Sequence, residues 1–400
     1  MKYTKKNEFD VTIETYNSIK AKLDKCEKIL AKKRVFLAID GFIDSLFSTV
    51  KSRKDLSNWT KFKTIEEFAE RLMSMAGSSG NIELILKKET SGGFVPNNAK
   101  ALSSIGIELY LLGAMGYPKI KQIYENLNSQ QNIDITSIAN PGKTFGLEFN
   151  DGKLMLSDLK SLYEIDWKLL TQRINKEEII KQMENSDAVG FGYWSILPQM
   201  TSIWKQFTNQ ILPSIKTSDP KFFFVDLADT KKRQKSDIRE MLEILQEINE
   251  KIPVLLSLND QEAIDISKAL DSVKPIEPNK KDFQDYISAG RQINKELHLS
   301  HLVIHSPHFA TCTLDNVKNH YWVTEGFTAN PSFTVSAGDH FNSGVLAGLL
   351  GDLSPSEAIL MGNALTAVFV RTGNSPDFNM LKKFIQNYMA YIYDDIPTLL

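Results

Sequence analysis

Val35-Phe36-Leu37-Ala38-Ile39-Asp40-Gly41 sets five apolar residues in a row and stops them with an acidic residue and a glycine. So short an unbroken run, closed by turn residues, reads as a strand buried on both faces that ends in a loop. The pattern returns in Leu109-Tyr110-Leu111-Leu112, Ala188-Val189-Gly190-Phe191-Gly192, Phe222-Phe223-Phe224-Val225-Asp226, Val254-Leu255-Leu256-Ser257 and Leu302-Val303-Ile304-His305. The stretches between read mostly as helix, among them 64–76 and 97–106. Strands alternating with helices over this length predict an α/β fold: a central, mostly parallel sheet with helices on both faces. Ligands of such sheets gather at the carboxyl ends of the strands, where Asp226 and Asn259 stand.

Two segments depart from the alternation. Lys143-Thr144-Phe145-Gly146-Leu147-Glu148-Phe149 meets Asn150-Asp151-Gly152 and continues as Lys153-Leu154-Met155-Leu156, which predicts a hairpin and a small accessory sheet or lid. Residues 10–33 carry Ile13, Tyr16, Ile19, Leu23, Cys26 and Leu30 at helical spacing and predict one amphipathic helix. The chain thus divides into a helical extension over 1–34 and one large domain over 35–400, with lid strands expected within 45–60 and 110–160. Residues 272–284, with Pro275 and Pro278, read as an exposed loop.

Lys and Arg number 47 and Asp and Glu 49, a formal charge of −2. That balance offers no broad basic field for nucleic acid or an anionic membrane. The two cysteines, Cys26 and Cys312, cannot build a disulfide framework and suit a reducing compartment. The N-terminus is too polar for a secretory signal, and no apolar run nears the roughly 18 residues that span a bilayer. Cytoplasmic residence is expected.

Chemistry concentrates in Thr334-Val335-Ser336-Ala337-Gly338-Asp339-His340-Phe341-Asn342-Ser343-Gly344-Val345-Leu346-Ala347-Gly348-Leu349-Leu350. Small residues lead into a helix whose first amides have no intrahelical acceptor, and such a terminus binds phosphate-like anions. A carboxylate at that spot repels phosphate, but it is suited to take a proton from an attacking hydroxyl. A lone Gly-Asp ahead of a helix is also what an N-cap looks like. Gly344, Ala347 and Gly348 give this helix a small face, expected to pack tightly into the sheet. His340, beside Asp339, reads as an exposed first-turn residue or, as the alternative, as one that tunes the site.

Two more segments add to this one. Ser91-Gly92-Gly93-Phe94-Val95-Pro96-Asn97-Asn98-Ala99-Lys100 is a glycine turn entering a helix. Asp40-Gly41-Phe42-Ile43-Asp44 puts two carboxylates at a strand's end, where they could hold sugar hydroxyls. The histidines between His298 and His340 complete no zinc pattern, Gly190-Phe191-Gly192 lacks the third glycine of a dinucleotide site, and no P-loop motif occurs. Arg371-Thr372-Gly373-Asn374 reads either as a helix C-cap or as part of a nucleotide pocket.

In order and content these segments resemble the ribokinase-like (PfkB) carbohydrate kinase family, from about residue 35 to about 374. Gly92-Gly93 with Asn97 and Ala99 matches its N-terminal motif. Ser336-Ala337-Gly338-Asp339 with Phe341, Gly344 and Gly348 matches its C-terminal motif, Asn259-Asp260-Gln261-Glu262 its Asn-x-x-Glu, and Asp44 its early acidic residue.

The resemblance implies a ribokinase-like fold with a small β lid, and transfer of a nucleotide's terminal phosphoryl group to a sugar hydroxyl. Asp339 would be the base, and the backbone of Ala337 and Gly338, with Ser336, the anion hole. Asp44, Asp40, Gly92, Gly93 and Asn97 would hold the sugar. Asn259, Glu262, His305 and Asn363 would lie on the nucleotide side, with Glu262 and Asn259 organising Mg²⁺ through its waters. The partners implied are a sugar and a nucleotide; a projecting lid sheet would also offer a surface for a homodimer, the oligomeric state being left open. The donor implied is ATP; ADP is the alternative, because ADP-dependent sugar kinases share this fold and base. Ser336 replaces a usual glycine. Phe333 stands where many members carry an Asp tied to a monovalent cation, and Val335 where many carry Thr, which puts that cation in doubt. His305-Ser306-Pro307-His308-Phe309-Ala310 lacks the family's two glycines, which leaves open a member that binds sugar or nucleotide and regulates.

Overall fold

The computed structural model describes residues 6–216, 222–276, 283–324, 326 and 328–393. Residues 277–282 of the expected loop, the first five of the extension and the last seven of the main domain lie outside the described residues. The strands are β1 (Arg34–Ile39), β2 (Phe42–Arg53), β3 (Trp59–Lys61), β4 (Leu84–Gly92), β5 (Glu108–Gly113), β6 (Ile133–Ser137), β7 (Gly142–Glu148), β8 (Lys153–Asp158), β9 (Ala188–Gly192), β10 (Phe222–Asp226), β11 (Val254–Asn259), β12 (His301–His305), β13 (Phe309–Leu314) and β14 (His320–Thr324).

Nine of them form one sheet in the order β14-β13-β12-β11-β10-β9-β1-β5-β6. It is parallel from β6 to β12, and β13 and β14 return antiparallel at the far edge. Central β1 shows why its sequence after Arg34 is apolar. Phe36 and Ala38 join the core on one face of the sheet, and Val35 and Leu37 join the core on the other, so neither parity can be polar. The six strands read from apolar runs all lie in this sheet. Edge strands β6 and β14 escape that reading because only part of each is buried and polar residues interrupt them.

The lid is a second sheet in the order β3-β2-β7-β8, with β4 also paired to β2. The expected hairpin is present as antiparallel β7 and β8. The expected lid boundaries need correction. β6 and most of β5 fall in the 110–160 window yet belong to the main sheet, while β4 is a lid strand that the expectation omits. β4 is mostly exposed and carries Lys87-Lys88-Glu89. Its antiparallel ladder with β2, not apolar burial, makes it a strand. A small core of Phe62, Phe68, Leu147 and Phe149 holds helix Ile65–Met73 to the lid.

The extension is two helices, Lys6–Lys20 and Leu23–Leu30, rather than one, and it is part of the main core. Ile19, Leu23, Cys26 and Leu30 are buried with residues of helices Ala337–Leu350 and Pro355–Thr372. Glu357 receives Lys22 Nζ at 2.7 Å and Ser18 Oγ at 2.6 Å. The small face of helix Ala337–Leu350 meets a helix rather than the sheet. A β-carbon on Gly344 would stand 2.7 Å from Gly362 Cα, and one on Gly348 would stand 2.6 Å from Ala358 Cα. Cys26 and Cys312 are buried and unbridged. Among the described residues no helix is long and apolar enough to cross a membrane.

Candidate active site

Where β1 ends, Asp40 turns inward. Its carboxylate accepts the amides of Phe94 at 2.9 Å and Val95 at 2.8 Å, capping helix Phe94–Ser104. Burial raises its pKa to about 7 despite those two donors. Gly93 enters the helix at φ 95°, a left-handed setting that favours glycine. A β-carbon there would meet Phe42 and the Asp40 carboxylate. Asp40 and Gly93 therefore build the helix start, beside the cavity that Asn97 of the same helix borders.

Asp44, at the start of β2, does line it. This cavity, of ≈ 460 Å³, lies between lid and core and is bordered by Asp44, Asn97, Lys100, Phe333, Ser336 and His340. Burial raises the Asp44 pKa, opposed by a hydrogen bond from Thr144 and the charge of Lys100. Gly92 is required beside it, since a β-carbon there would overlap Asp44 Oδ2. Gly373 caps its helix at φ 73°, as the C-cap reading of that segment expects, and with Asn374 it borders this cavity. His340 is buried, not exposed. Its ring lies 3.7 Å from that of Phe369, Nδ1 meets Ser336 O and Nε2 meets Ser375 Oγ, each at 2.8 Å, and burial lowers its pKa to about 4.

Asp339 sits in the first turn of helix Ala337–Leu350 and is buried. Oδ2 accepts from Asn97 Nδ2 at 2.9 Å. Oδ1 accepts from Tyr193 OH at 2.8 Å and, more weakly, from Asn98 Nδ2 at 3.4 Å. Burial, and next the charge of Asp226, hold its pKa well above the ordinary carboxylate range. Ser336, ahead of the helix, takes φ 71° and makes no side-chain cap. For a residue with a β-carbon that left-handed backbone costs about 1–2 kcal/mol, which is the physical content of losing the family's glycine. The Ala337 amide is turned to Thr334 O at 3.3 Å. Among the described residues the amides of Gly338 and Asp339 have no acceptor, so the open end of the helix is one residue further on than expected.

Those amides border a second cavity, of ≈ 310 Å³, lined by Tyr193, Asp226, Asn259, Glu262, Gly338 and Asp339 among others. Asp226 closes β10, where it accepts the Asn342 amide at 2.8 Å and Ala228 N–H at 3.0 Å; burial raises its pKa to about 6. Asn259 and Glu262 form a reciprocal capping box at 2.9 Å in each direction. Burial and the Asp226 charge push the Glu262 pKa well up. Oxygen-only donors and crowded carboxylates fit Mg²⁺. Among the described residues no three acidic, cysteine or histidine side chains converge on one point.

A third cavity, of ≈ 270 Å³, flanks the same helix start and is mainly apolar. His305, Pro307, Phe341, Ala367 and Val370 line it, with Asn259 and Gly338 at its polar end. His305 stacks on Phe341 with centroids 4.3 Å apart, and burial lowers its pKa to about 4, leaving a neutral ring at pH 7. Without the family's glycines, the chain closes a tight turn through Ser306 N–H to Phe309 O at 2.9 Å. Asn363 is not in this cavity. It is fully buried, and Nδ2 bonds Tyr388 OH at 3.1 Å and Thr324 O at 3.4 Å.

Sequence reading missed four residues here. Tyr193 and Asn98 hold Asp339, Asn342 holds Asp226, and Lys100 enters the lid-side cavity. Tyr193 follows β9 directly, so the strand-end rule that marked Asp226 applies to it too.

Comparison with known proteins identifies the family. The family model described as prokaryotic ketohexokinase matches residues 11–388. A ketohexokinase of Haloferax volcanii is 27% identical over 376 residues, which are 92% of this chain and 96% of that protein. A solved Arabidopsis thaliana ribokinase complexed with ribose and ATP aligns with TM-score 0.60 at 13% identity, covering 89% of this chain and 99% of that one. A phosphofructokinase-2 mutant from Escherichia coli aligns with TM-score 0.60 at 14% identity and the same coverage. At such identities the two structures speak for the fold, and the family match speaks for descent: the chain belongs to the prokaryotic ketohexokinase family, among the ribokinase-like (PfkB) sugar kinases.

Proposed function

We propose that this enzyme transfers the terminal phosphoryl group of ATP to a hydroxyl of a ketohexose, with Asp339 as the base. The carrying observation is the place of Asp339. Its Oδ2 is bonded to Asn97, which borders the lid-side cavity, and its Oδ1 is bonded to Tyr193, which borders the acidic one. A sugar between Asp44 and Asp339 puts one hydroxyl against a carboxylate of raised pKa, a base poised nearer neutrality than a free aspartate. The amides of Gly338 and Asp339 face the charge that develops on the phosphoryl group.

The apolar cavity suits the nucleoside, and His305 on Phe341 offers a neutral, flat wall for a base. Asn259, Glu262 and Asp226 would hold Mg²⁺ through its waters; the ion would neutralise phosphate charge next to these carboxylates. A homodimer through the lid belongs to the same reading, because the lid leaves Leu86, Phe145 and Leu156 exposed. The ketohexose assignment draws on the named activity of the Haloferax volcanii relative.

A coupled assay over a panel of ketoses and aldoses, run with ATP and then with ADP, tests this. Turnover is expected with a ketohexose and ATP. Asp339→Asn should lose at least about 10³-fold in kcat while still binding sugar in calorimetry. An Asp339→Asn enzyme near full rate would sink the assignment. Turnover with ADP alone would move the donor, and binding of sugar or nucleotide without turnover would favour a regulator.

A further inference from the structure

Lys100 lies on helix Phe94–Ser104 one turn after Asn97, and its side chain borders the lid-side cavity together with Asp44. An ammonium carries three N–H donors. One is used: Nζ donates to Ser91 O at 2.5 Å, tying the core helix to the end of lid strand β4. Among the described residues no second acceptor and no paired carboxylate complete its set. Asp44 and Asp339 nevertheless both act on its charge, and burial still lowers its pKa to about 8. A partly buried cation with two unused donors and a cavity in front of it lacks oxygen acceptors that the protein does not supply.

The other lysines on that cavity differ. Lys153 is paired with Glu148 at 2.8 Å, and Lys88 lies 5.7 Å from the Phe333 ring centroid. Lys100 alone combines burial, unused donors and proximity to both ends of the site. Asp44 can only accept hydrogen bonds and Lys100 can only donate them, so together they distinguish one sugar oxygen from the next.

We propose that Lys100 is a specificity-determining substrate residue, whose ammonium donates to a sugar oxygen adjacent to the hydroxyl that Asp339 deprotonates. This rests on the sugar-kinase reading of the same site. Substrates with an oxygen at that neighbouring position are selected over their deoxy counterparts, because without it a buried cation goes unsatisfied.

The test is a cycle between protein and substrate. Wild type, Lys100→Met and Lys100→Arg are assayed with the best ketohexose and with its monodeoxy analogues. In wild type one analogue should lose roughly 10- to 100-fold in kcat/KM, the span of a hydrogen bond to a charged group. In Lys100→Met that analogue and its parent should differ by less than about 2-fold, with sugar KM raised and ATP KM little changed. Lys100→Arg should recover part of the discrimination. The proposal is overturned if every analogue is penalised alike in wild type and Lys100→Met, or if the substitution changes sugar and ATP KM equally. Melting temperatures are read alongside, and Lys100→Gln, which keeps a donor toward Ser91 O, takes the place of Lys100→Met if that variant does not fold. Calorimetric sugar binding measures the same cycle without turnover. A wild-type chain that discriminates analogues in binding but does not phosphorylate them would overturn the kinase reading while upholding Lys100.

Discussion

Asp44 Oδ2 occupies the space that a side chain at position 92 would need: a β-carbon built on Gly92 would lie 1.9 Å from that oxygen. The Gly-Gly motif and the early aspartate are thus one device, and the register sets it, since Phe42 pairs with Gly92 and Asp44 with Thr90 across β2 and β4. Gly92→Ala should push the Asp44 carboxylate, the mobile end of a side chain, away from its place without unfolding the domain. The expected result is a sugar KM raised about 10-fold or more, with ATP KM unchanged and a melting temperature within a few degrees of wild type. Steady-state kinetics with each substrate varied in turn would show it, and an unchanged sugar KM would remove Asp44 from the site.

Tyr193 is the second test. Its phenol donates to Asp339 Oδ1 at 2.8 Å and helps to hold that carboxylate's pKa down, against burial and the Asp226 charge that hold it up. Removing the donor destabilises the ionised form. Because Asp339 must be ionised to accept a proton, activity rises with pH through its pKa. Tyr193→Phe should therefore move the acid limb of the kcat/KM profile to higher pH and lower kcat by about 10-fold. A merely structural tyrosine would change stability and leave that limb where it was.

The fold was legible where burial is complete and obscure where it is not. β1, β5 and β9 to β12 announce themselves because both faces are covered, so each carries an unbroken run of apolar residues or glycine. β4 is held by its ladder with β2 and carries charge, so its sequence looks like loop. The site divides in the same way. Asp339 stands in a local pattern of small residues at a helix start. Its bond to Tyr193 spans 146 positions and leaves no local trace. Asp40 and Asn363 were recognisable as polar residues in suggestive places, but their directions depend on tertiary neighbours: the amides of Phe94 and Val95 for one, Tyr388 and Thr324 for the other. The Asn-x-x-Glu pattern carries two messages at once, since the same pair is a capping box.

Stability should depend on pH through the buried carboxylates. Asp40 has a folded pKa of about 7 against roughly 3.9 in an unfolded chain. The folded state therefore holds its proton more tightly. That contribution is complete below about pH 4 and is lost as pH rises to about 7, a change of at most ~4 kcal/mol at 1.36 kcal/mol per unit. Asp40→Asn cannot ionise and should flatten this part of the curve, at the price of one of the two amide contacts at the helix start. Urea midpoints measured from pH 4 to pH 8 on both proteins would check it. A wild-type midpoint that rises steadily with pH across this window, with no flattening in the variant, would contradict the assignment.

Two glycines on one helix should respond oppositely to the same substitution. A β-carbon on Gly338 would find nothing closer than His305 Cε1 at 3.9 Å, so Gly338→Ala can fold as wild type does. Its methyl would, however, stand at the open helix end, between the acidic and apolar cavities that Gly338 borders. Gly344→Ala meets Gly362 Cα at 2.7 Å and Met361 O at 2.9 Å. Both obstacles are backbone, so helices Ala337–Leu350 and Pro355–Thr372 must separate, at a typical overpacking cost of about 1–3 kcal/mol. The expected pair of results is a Gly338→Ala enzyme with an unchanged melting temperature and at least about 10²-fold lower kcat, and a Gly344→Ala enzyme that melts several degrees earlier yet keeps most of its kcat at low temperature. Differential scanning calorimetry and turnover on the same samples separate the two effects. If Gly338→Ala keeps full activity, its amide does not face the transferring phosphoryl group, and the anion hole must be sought elsewhere on the cavity wall.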